Sequence, residues 1–148
     1  MWHQHPLSSH LLVFIQGTGM LLATFPVHLS AHRMWLLILP IAGALLAAWT
    51  VYHNRIHNFS VYPEIKQGAQ LITTGPYRWV RHPMYLSLFL LMAGIAFYGQ
   101  GWSHNIGLML VATAIMLKIE KEEKYLLATF PDYQVYRQNT CKLFWPVY

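Results

Sequence analysis

Two clusters of residues in this chain could do chemistry. The first lies between Leu71 and Tyr85, L-I-T-T-G-P-Y-R-W-V-R-H-P-M-Y, where fifteen residues bring together Tyr77, Arg78, Arg81, His82 and Tyr85 just before an apolar run. Pro83 has no N–H to give and a preset φ, so a helix is expected to begin there, with Arg81 and His82 at its amino end. Such an end offers free N–H groups and partial positive charge, a place to hold a carboxylate or another anion. The second cluster, I-E-K-E-E-K-Y-L-L from Ile119 to Leu127, sets Glu122 and Glu123 at the end of a later apolar run. Adjacent helical residues point about 100° apart, so one glutamate can meet a ligand while the other pairs with an arginine. Both clusters also have a plainer reading. Arg, Tyr and Trp anchor membrane helices among head groups, and Glu120 with Lys124 makes a favourable i, i+4 pair on a solvated helix end.

The elements that must position these residues are membrane helices. Hydrophobic residues make up 55% of the chain and charged residues 10%, a balance foreign to soluble domains. Its 148 residues are read as one domain, all-α, with four transmembrane spans at about 7–25, 34–51, 83–98 and 106–119. Met1 to His10 holds no Lys or Arg, so the first span is expected to be a retained helix and not a signal peptide. Gln16, Gly17, Thr18 and Gly19 interrupt it, which suits a helix packed on protein. In the second span Gly43 and Ala47, and Ala44 and Ala48, have the spacing of closely approaching helices and would permit a homodimer, and Pro40 is expected to kink it. The last two spans are short for a hydrocarbon core about 30 Å thick and need their flanks to complete the crossing. The fourth helix should run on to Thr129, because Pro131 stops it.

Charge sets the orientation. With four spans, the N-tail, the loop 52–83 and the C-tail share one side and hold nine of the ten Lys and Arg residues, Lys118 counted among them. Only Arg33 lies on the other side, so both termini and the long loop are expected to face the cytoplasm; in a bacterium the membrane would be the inner one. The formal charge of +5 is modest and suits a membrane surface, not a nucleic acid. His53 and His57 are four apart without a third ligand, and Cys141 is the one cysteine, so neither a metal site nor a disulfide is expected. With no Asp, Glu, Lys or Arg assigned to the span interiors, a transporter is set aside.

Gly75–Tyr85 (G-P-Y-R-W-V-R-H-P-M-Y), followed by E-E-x-x-L (Glu122–Leu126) and F-P-D-Y-x-x-Y (Phe130–Tyr136), resembles the isoprenylcysteine carboxyl methyltransferase family. That membrane superfamily includes phospholipid N-methyltransferases. N-F-S-V-Y-P-E (Asn58–Glu64) and the late Arg137, Thr140 and Pro146 are similar to its members too, so the resemblance covers about residues 58–146. Sterol reductases share a stretch like R-H-P-x-Y but place an Arg-Asp pair where Glu122 and Glu123 stand. The resemblance implies S-adenosylmethionine bound between the third and fourth helices, with a helical C-terminal segment closing the pocket. Arg81, His82 and Tyr85 match the first cofactor motif and Glu122 and Glu123 the second, with Tyr77, Arg78 and Pro83 shaping the loop. Arg81 and His82 are the expected catalytic residues. The implied acceptor is lipid-like or prenylated and reached from membrane lipid, an isoprenylcysteine-type carboxylate foremost. The alternative is a non-catalytic four-helix membrane protein that binds a lipid or a partner.

Overall fold

The computed structural model describes residues 6–25, 31–58, 60–65, 68–99 and 101–144. Pro26, Phe59, Lys66 and Pro146, and the side chains of Arg33, Arg55 and His57, lie outside the described residues. Among the described residues five α-helices follow one another: α1 (Leu7–Thr24), α2 (Ile38–Asn58), α3 (Pro83–Gly99), α4 (Trp102–Thr129) and α5 (Tyr133–Gln138), with 3-10 turns at Ala31–Leu37 and Gly75–Arg78. Among the described residues there is no strand, only an isolated parallel bridge between Val80 and Cys141.

The chain is an integral membrane protein turned apolar side out. Leu11, Phe14, Ile38, Leu45, Met109 and Leu117 are exposed, while Thr50, His82, Ser87, His104, Lys118 and Glu123 are buried. In lipid this is the stable arrangement, because polar groups must find partners inside the protein. Thr24, Thr50 and Thr113 meet that demand locally by donating to the carbonyls of Met20, Leu46 and Met109 one turn back. Leu7–Thr24, Met34–Asn54 and Trp102–Thr129 are long and apolar enough to cross a membrane, and Pro83–Gly99 is apolar but shorter. At about 1.5 Å per residue α3 is about 25 Å long, which falls short of a hydrocarbon core and leaves its flanks to finish the crossing.

Helix α3 is central and touches α1, α2 and α4, whereas α1 lies chiefly on α4 and α2 chiefly on α3. Glycines set the two closest crossings. A Cβ on Gly19 would stand 2.9 Å from Gly107 O, and one on Gly107 would meet the Ala23 backbone, so α1 and α4 touch backbone to backbone. A Cβ on Gly43 would likewise stand 2.7 Å from Ser87 O, and one on Gly94 would run into Pro40. Thus Gly43, read from the spacing as available for a dimer, packs within the chain, while Ala44 and Ala48 of the same stripe stay exposed.

Pro40 departs from its expected role. It lies in the first turn of α2, and the chain just before it is wound as a 3-10 helix. A proline cannot donate to the carbonyl four residues back and crowds it, so the α ladder starts about the proline.

An opposed pair of variants tests the crossings. Gly94→Ala drives a methyl into Pro40 and is expected to cost about 1–3 kcal/mol, seen as a lower melting temperature in detergent. Gly17→Ala meets nothing within 4 Å and should be neutral or stabilising by up to about 1 kcal/mol. Equal effects at the two positions would contradict the assigned crossing.

Helix α4 runs to Thr129 as the pattern predicts and starts at Trp102, four residues before the expected start of the span at 106. His104 secures that start by accepting a hydrogen bond at Nδ1 from the Gly101 N–H, 3.2 Å away. At about 42 Å the helix outruns the bilayer core, and its charged residues, Glu122 and Glu123 among them, fall in its last turns. Lys118 corrects the charge assignment. It is 1% exposed, and its ammonium donates to Gln16 Oε1, about half-way along α1, and to Val61 O at 3.2 Å. It is a cation inside the bundle and not part of the solvated flank.

Candidate active site

Pro83 opens α3 as its spacing predicts, with the Leu86 N–H donating to His82 O at 3.1 Å. The chain just before it is held by the C-terminal segment. The Arg81 N–H donates to Cys141 O at 2.8 Å and the Cys141 N–H to Trp79 O at 3.1 Å. Cys141 therefore takes part through its backbone, in a short ladder that ties the tail to the start of α3.

The Arg81 side chain joins three elements. Its Nε donates to Glu123 Oε1 on α4 at 2.8 Å, and its Nη1 donates to Arg137 O at 3.0 Å and to Thr140 O. The side chains of Arg81 and Glu123 are only 8% and 6% exposed, so this is a buried pair with its hydrogen bonds provided by neighbours. Arg137 Nε adds a looser contact to Glu123 Oε2 at 3.6 Å. His82 lies between the glutamates, its Nε2 3.3 Å from Glu123 Oε1 and its Nδ1 3.9 Å from Glu122 Oε2.

Of the two adjacent carboxylates, Glu123 is the arginine's partner. Glu122 points elsewhere, hydrogen-bonded to the Tyr85 hydroxyl on the first turn of α3. The two carboxylates diverge as a step of about 100° along the helix requires, and Glu123 is the one that pairs with the arginine.

Glu122 stands where two cavities meet. One, of about 460 Å³, is enclosed by α1, α2, α3, α4 and the loop, and lined by Met20, Ala47, Leu88 and Leu91 besides Tyr77, Arg81, His82, Tyr85, Lys118 and Glu122. That volume is ordinary for a small-molecule site. The other, about 120 Å³, is walled by residues of the loop 60–72 together with Glu122, Leu126, Phe130, Tyr133 and Tyr136. Asn54, Ser60, Tyr77, Arg81 and Glu122 line both. Five of the six expected site residues, Tyr77, Arg81, His82, Tyr85 and Glu122, thus border the larger cavity, and Glu123 stands behind them.

Three tyrosines furnish the polar cavity. Burial pushes the Tyr77 phenol well above its ordinary range; Glu122 and Tyr136 add to the rise, and a hydrogen bond with Asn54 opposes it. Burial also pushes Tyr136 up to about 12, against the pull of Arg81 and a hydrogen bond with Thr140. Tyr133 is raised by burial and by the nearby Glu123. All three are therefore protonated donors at neutral pH. Tyr136 donates to Tyr77 O at 2.6 Å. The buried Tyr133 hydroxyl has no hydrogen-bond partner among the described residues.

The loop is pinned over the site. Glu64 accepts from Ser9 at the start of α1 and pairs with Lys121 of α4 at 3.0 Å, while Lys121 also reaches Ser8 at 3.1 Å. Tyr62 and His10 meet edge to face, 5.1 Å between ring centroids. These contacts gather the start of α1, the loop and the end of α4 at one end of the bundle, as the charge pattern requires. His53 has a structural part there. Its Nε2 bonds the Thr74 hydroxyl at 2.8 Å, and its ring covers Gly75, whose φ of 61° and lack of a Cβ let it fit.

Lys118 and Tyr133 were not singled out as site residues from the sequence. Lys118 had a visible signal, a single cation within the last turn of an apolar span, and such residues are rarely incidental. Tyr133 had none beyond its place in the F-P-D-Y motif.

Apolar helices packed around a buried cation–carboxylate cluster, beside one largely apolar cavity and one of mixed lining, define an integral membrane protein with a candidate site at one end of its bundle. The chain belongs to the phospholipid methyltransferase family, whose profile matches residues 31–132. It is also similar to the nickel-cobalt-cadmium resistance protein NccN of Alcaligenes xylosoxydans xylosoxydans, 28% identical over 87 residues. That alignment takes in 57% of this chain and 40% of the relative, so the chain spans about two-fifths of the relative's length. Among the described residues no group of three or more His, Cys, Asp or Glu side chains could hold a metal ion.

Proposed function

We propose that the chain is an S-adenosylmethionine-dependent methyltransferase acting on a lipid-like acceptor that reaches the site from the bilayer. The observation that carries this reading is the pair of cavities, one largely apolar and one half polar, that share Tyr77, Arg81 and Glu122 in their walls. The residues present fit the cofactor's chemistry. It has hydroxyls, an ammonium and an adenine amine to donate, which Glu122 can accept, and a carboxylate for tyrosine donors, and the buried Tyr133 hydroxyl lacks a protein partner.

Bound there, S-adenosylmethionine supplies an electrophilic methyl group that needs no protein nucleophile. What the chain must add is alignment and a dry site. Glu122 and Tyr85 present a hydrogen-bonded pair at the junction. His82, 2% exposed on its side chain, stands behind them against Glu123. Arg81 works as a positioning residue, because its characterised bonds go to Glu123 and to carbonyls of the C-terminal segment. An acceptor carboxylate of the isoprenylcysteine type arrives ionised and needs no base. An amine or thiol acceptor gives up a proton, and Glu122 with His82 beside it is the group in place to take it.

Methyl-tritiated S-adenosylmethionine added to membranes containing the chain, followed by organic extraction, tests this reading. Label is expected in the lipid fraction, and to drop at least about 100-fold when the membranes carry a folded Glu122→Ala variant. A folded wild-type chain that leaves phospholipid, isoprenoid-acid and prenylcysteine acceptors all unlabelled would point to a lipid-binding protein without catalysis.

A further inference from the structure

Lys118 is the one charged group of the larger cavity that the proposed transfer does not use. Its side chain leaves α4 one turn before Glu122 and is shut away from solvent. Its ammonium is met by Gln16 Oε1 and Val61 O, both uncharged acceptors, and Glu122, whose charge acts on it from one turn along α4, makes no ion pair with it. An ammonium has three protons to donate, and a buried cation whose hydrogen-bond acceptors are all neutral is costly to keep. The wall beside it is hydrocarbon, from Met20, Ala47, Leu88 and Leu91. A fixed positive charge next to an apolar chamber matches a molecule with one anionic group and a hydrocarbon chain.

We propose that Lys118 is a specificity-determining residue that selects, for this cavity, amphipathic molecules bearing a carboxylate or phosphate. The anion takes the free donor position of the ammonium, Gln16 and Val61 hold that ammonium in place, and the hydrocarbon chain lies against Met20, Leu88 and Leu91. Where the cavity serves methyl transfer, the acceptor is then an anionic amphiphile. The assignment deepens the proposed function by naming what its site selects, and it stands on the cavity alone.

Four single-chain probes of equal length test it on the detergent-purified full chain: palmitate, hexadecyl phosphate, hexadecanol and hexadecylamine. Binding is read by calorimetry and by the shift in melting temperature, with S-adenosylmethionine binding measured in the same preparations. One charge-assisted hydrogen bond in a buried site predicts that palmitate or hexadecyl phosphate binds about tenfold or more tighter than the alcohol or the amine. The better of the two anions tells carboxylate from phosphate recognition. In Lys118→Met the preference is expected to vanish while cofactor affinity stays within about twofold, since Glu122 and Tyr133 are intact; a merely structural lysine would lower all affinities and the melting temperature together. Equal binding of all four probes by the wild type overturns the proposal even where Lys118→Met does not fold, and so does a preference that survives in folded Lys118→Met. Loss of S-adenosylmethionine binding with the anion preference intact would instead remove the methyltransferase reading and leave Lys118 its role.

Discussion

Glu122→Ala is expected to reduce methyl transfer at least about 100-fold while leaving the melting temperature within about 2 °C of wild type. Glu122 touches both cavities and lies away from the Arg81 pair, so its removal takes a hydrogen-bond acceptor from the junction while the hydrogen bonds of Arg81 and of Lys118 stay in place. Its close protein partners are the His82 ring at 3.9 Å and the Tyr85 hydroxyl, which keeps access to the cavity and so to water or ligand. Glu122→Gln should fall between, because an amide still accepts a hydrogen bond but has lost the charge. Activity assays beside thermal melts in the same detergent check this. Unchanged activity in the alanine variant would remove Glu122 from the site.

Glu123→Ala is expected to do the reverse, damaging the fold first. It leaves the Arg81 guanidinium buried, with carbonyl oxygens but no counter-charge, and breaking such a pair from one side costs about 3–5 kcal/mol. Because Arg81 also holds the backbone at Arg137 and Thr140, the loss should loosen the C-terminal segment and expose it to limited proteolysis. A double variant, Arg81→Met with Glu123→Leu, should recover part of the stability, since no charge is then stranded. Melting temperatures and protease sensitivity of the two single variants and the double one decide it. A fully stable Glu123→Ala protein would contradict the structural role given to the pair.

The contrast between these neighbours shows what the sequence could carry. Helical spacing requires Glu122 and Glu123 to diverge, but no local rule says which faces Arg81, because that depends on the rotation of α4 against α3. The rotation is set by distant contacts, Gly19 on Gly107 and Gly43 on Ser87. Pro83 as a helix start, Pro131 as a stop and the apolar spans were legible because they rest on backbone chemistry and composition. The use of Gly43 within the chain was not, since small-residue spacing marks a close approach without naming the partner. Pro40 likewise announces a break in the helical ladder, and only the chain before it decides between a kink and a 3-10 start.

Lys118 was the most instructive difference. Counted by position it belongs with the cations of the charge-rich side, at the last turn of its span. A lysine side chain is long enough to turn back into the bundle, and the carbonyl oxygens of Gln16 and Val61 draw it there. Tyr133 shows the converse. Its motif places it after the helix stop, and only the folding of α5 onto the end of α4 buries its hydroxyl without a protein partner.

The measurement that bears most directly on the proposed function is equilibrium binding of S-adenosylmethionine to the detergent-purified chain. Wild type should bind saturably at one site per chain, Lys118→Met comparably, and Glu122→Ala at least about tenfold more weakly with its fold intact. Absence of saturable binding by folded wild type, with phospholipid and an anionic amphiphile both present, would contradict a cofactor site at the junction of the two cavities.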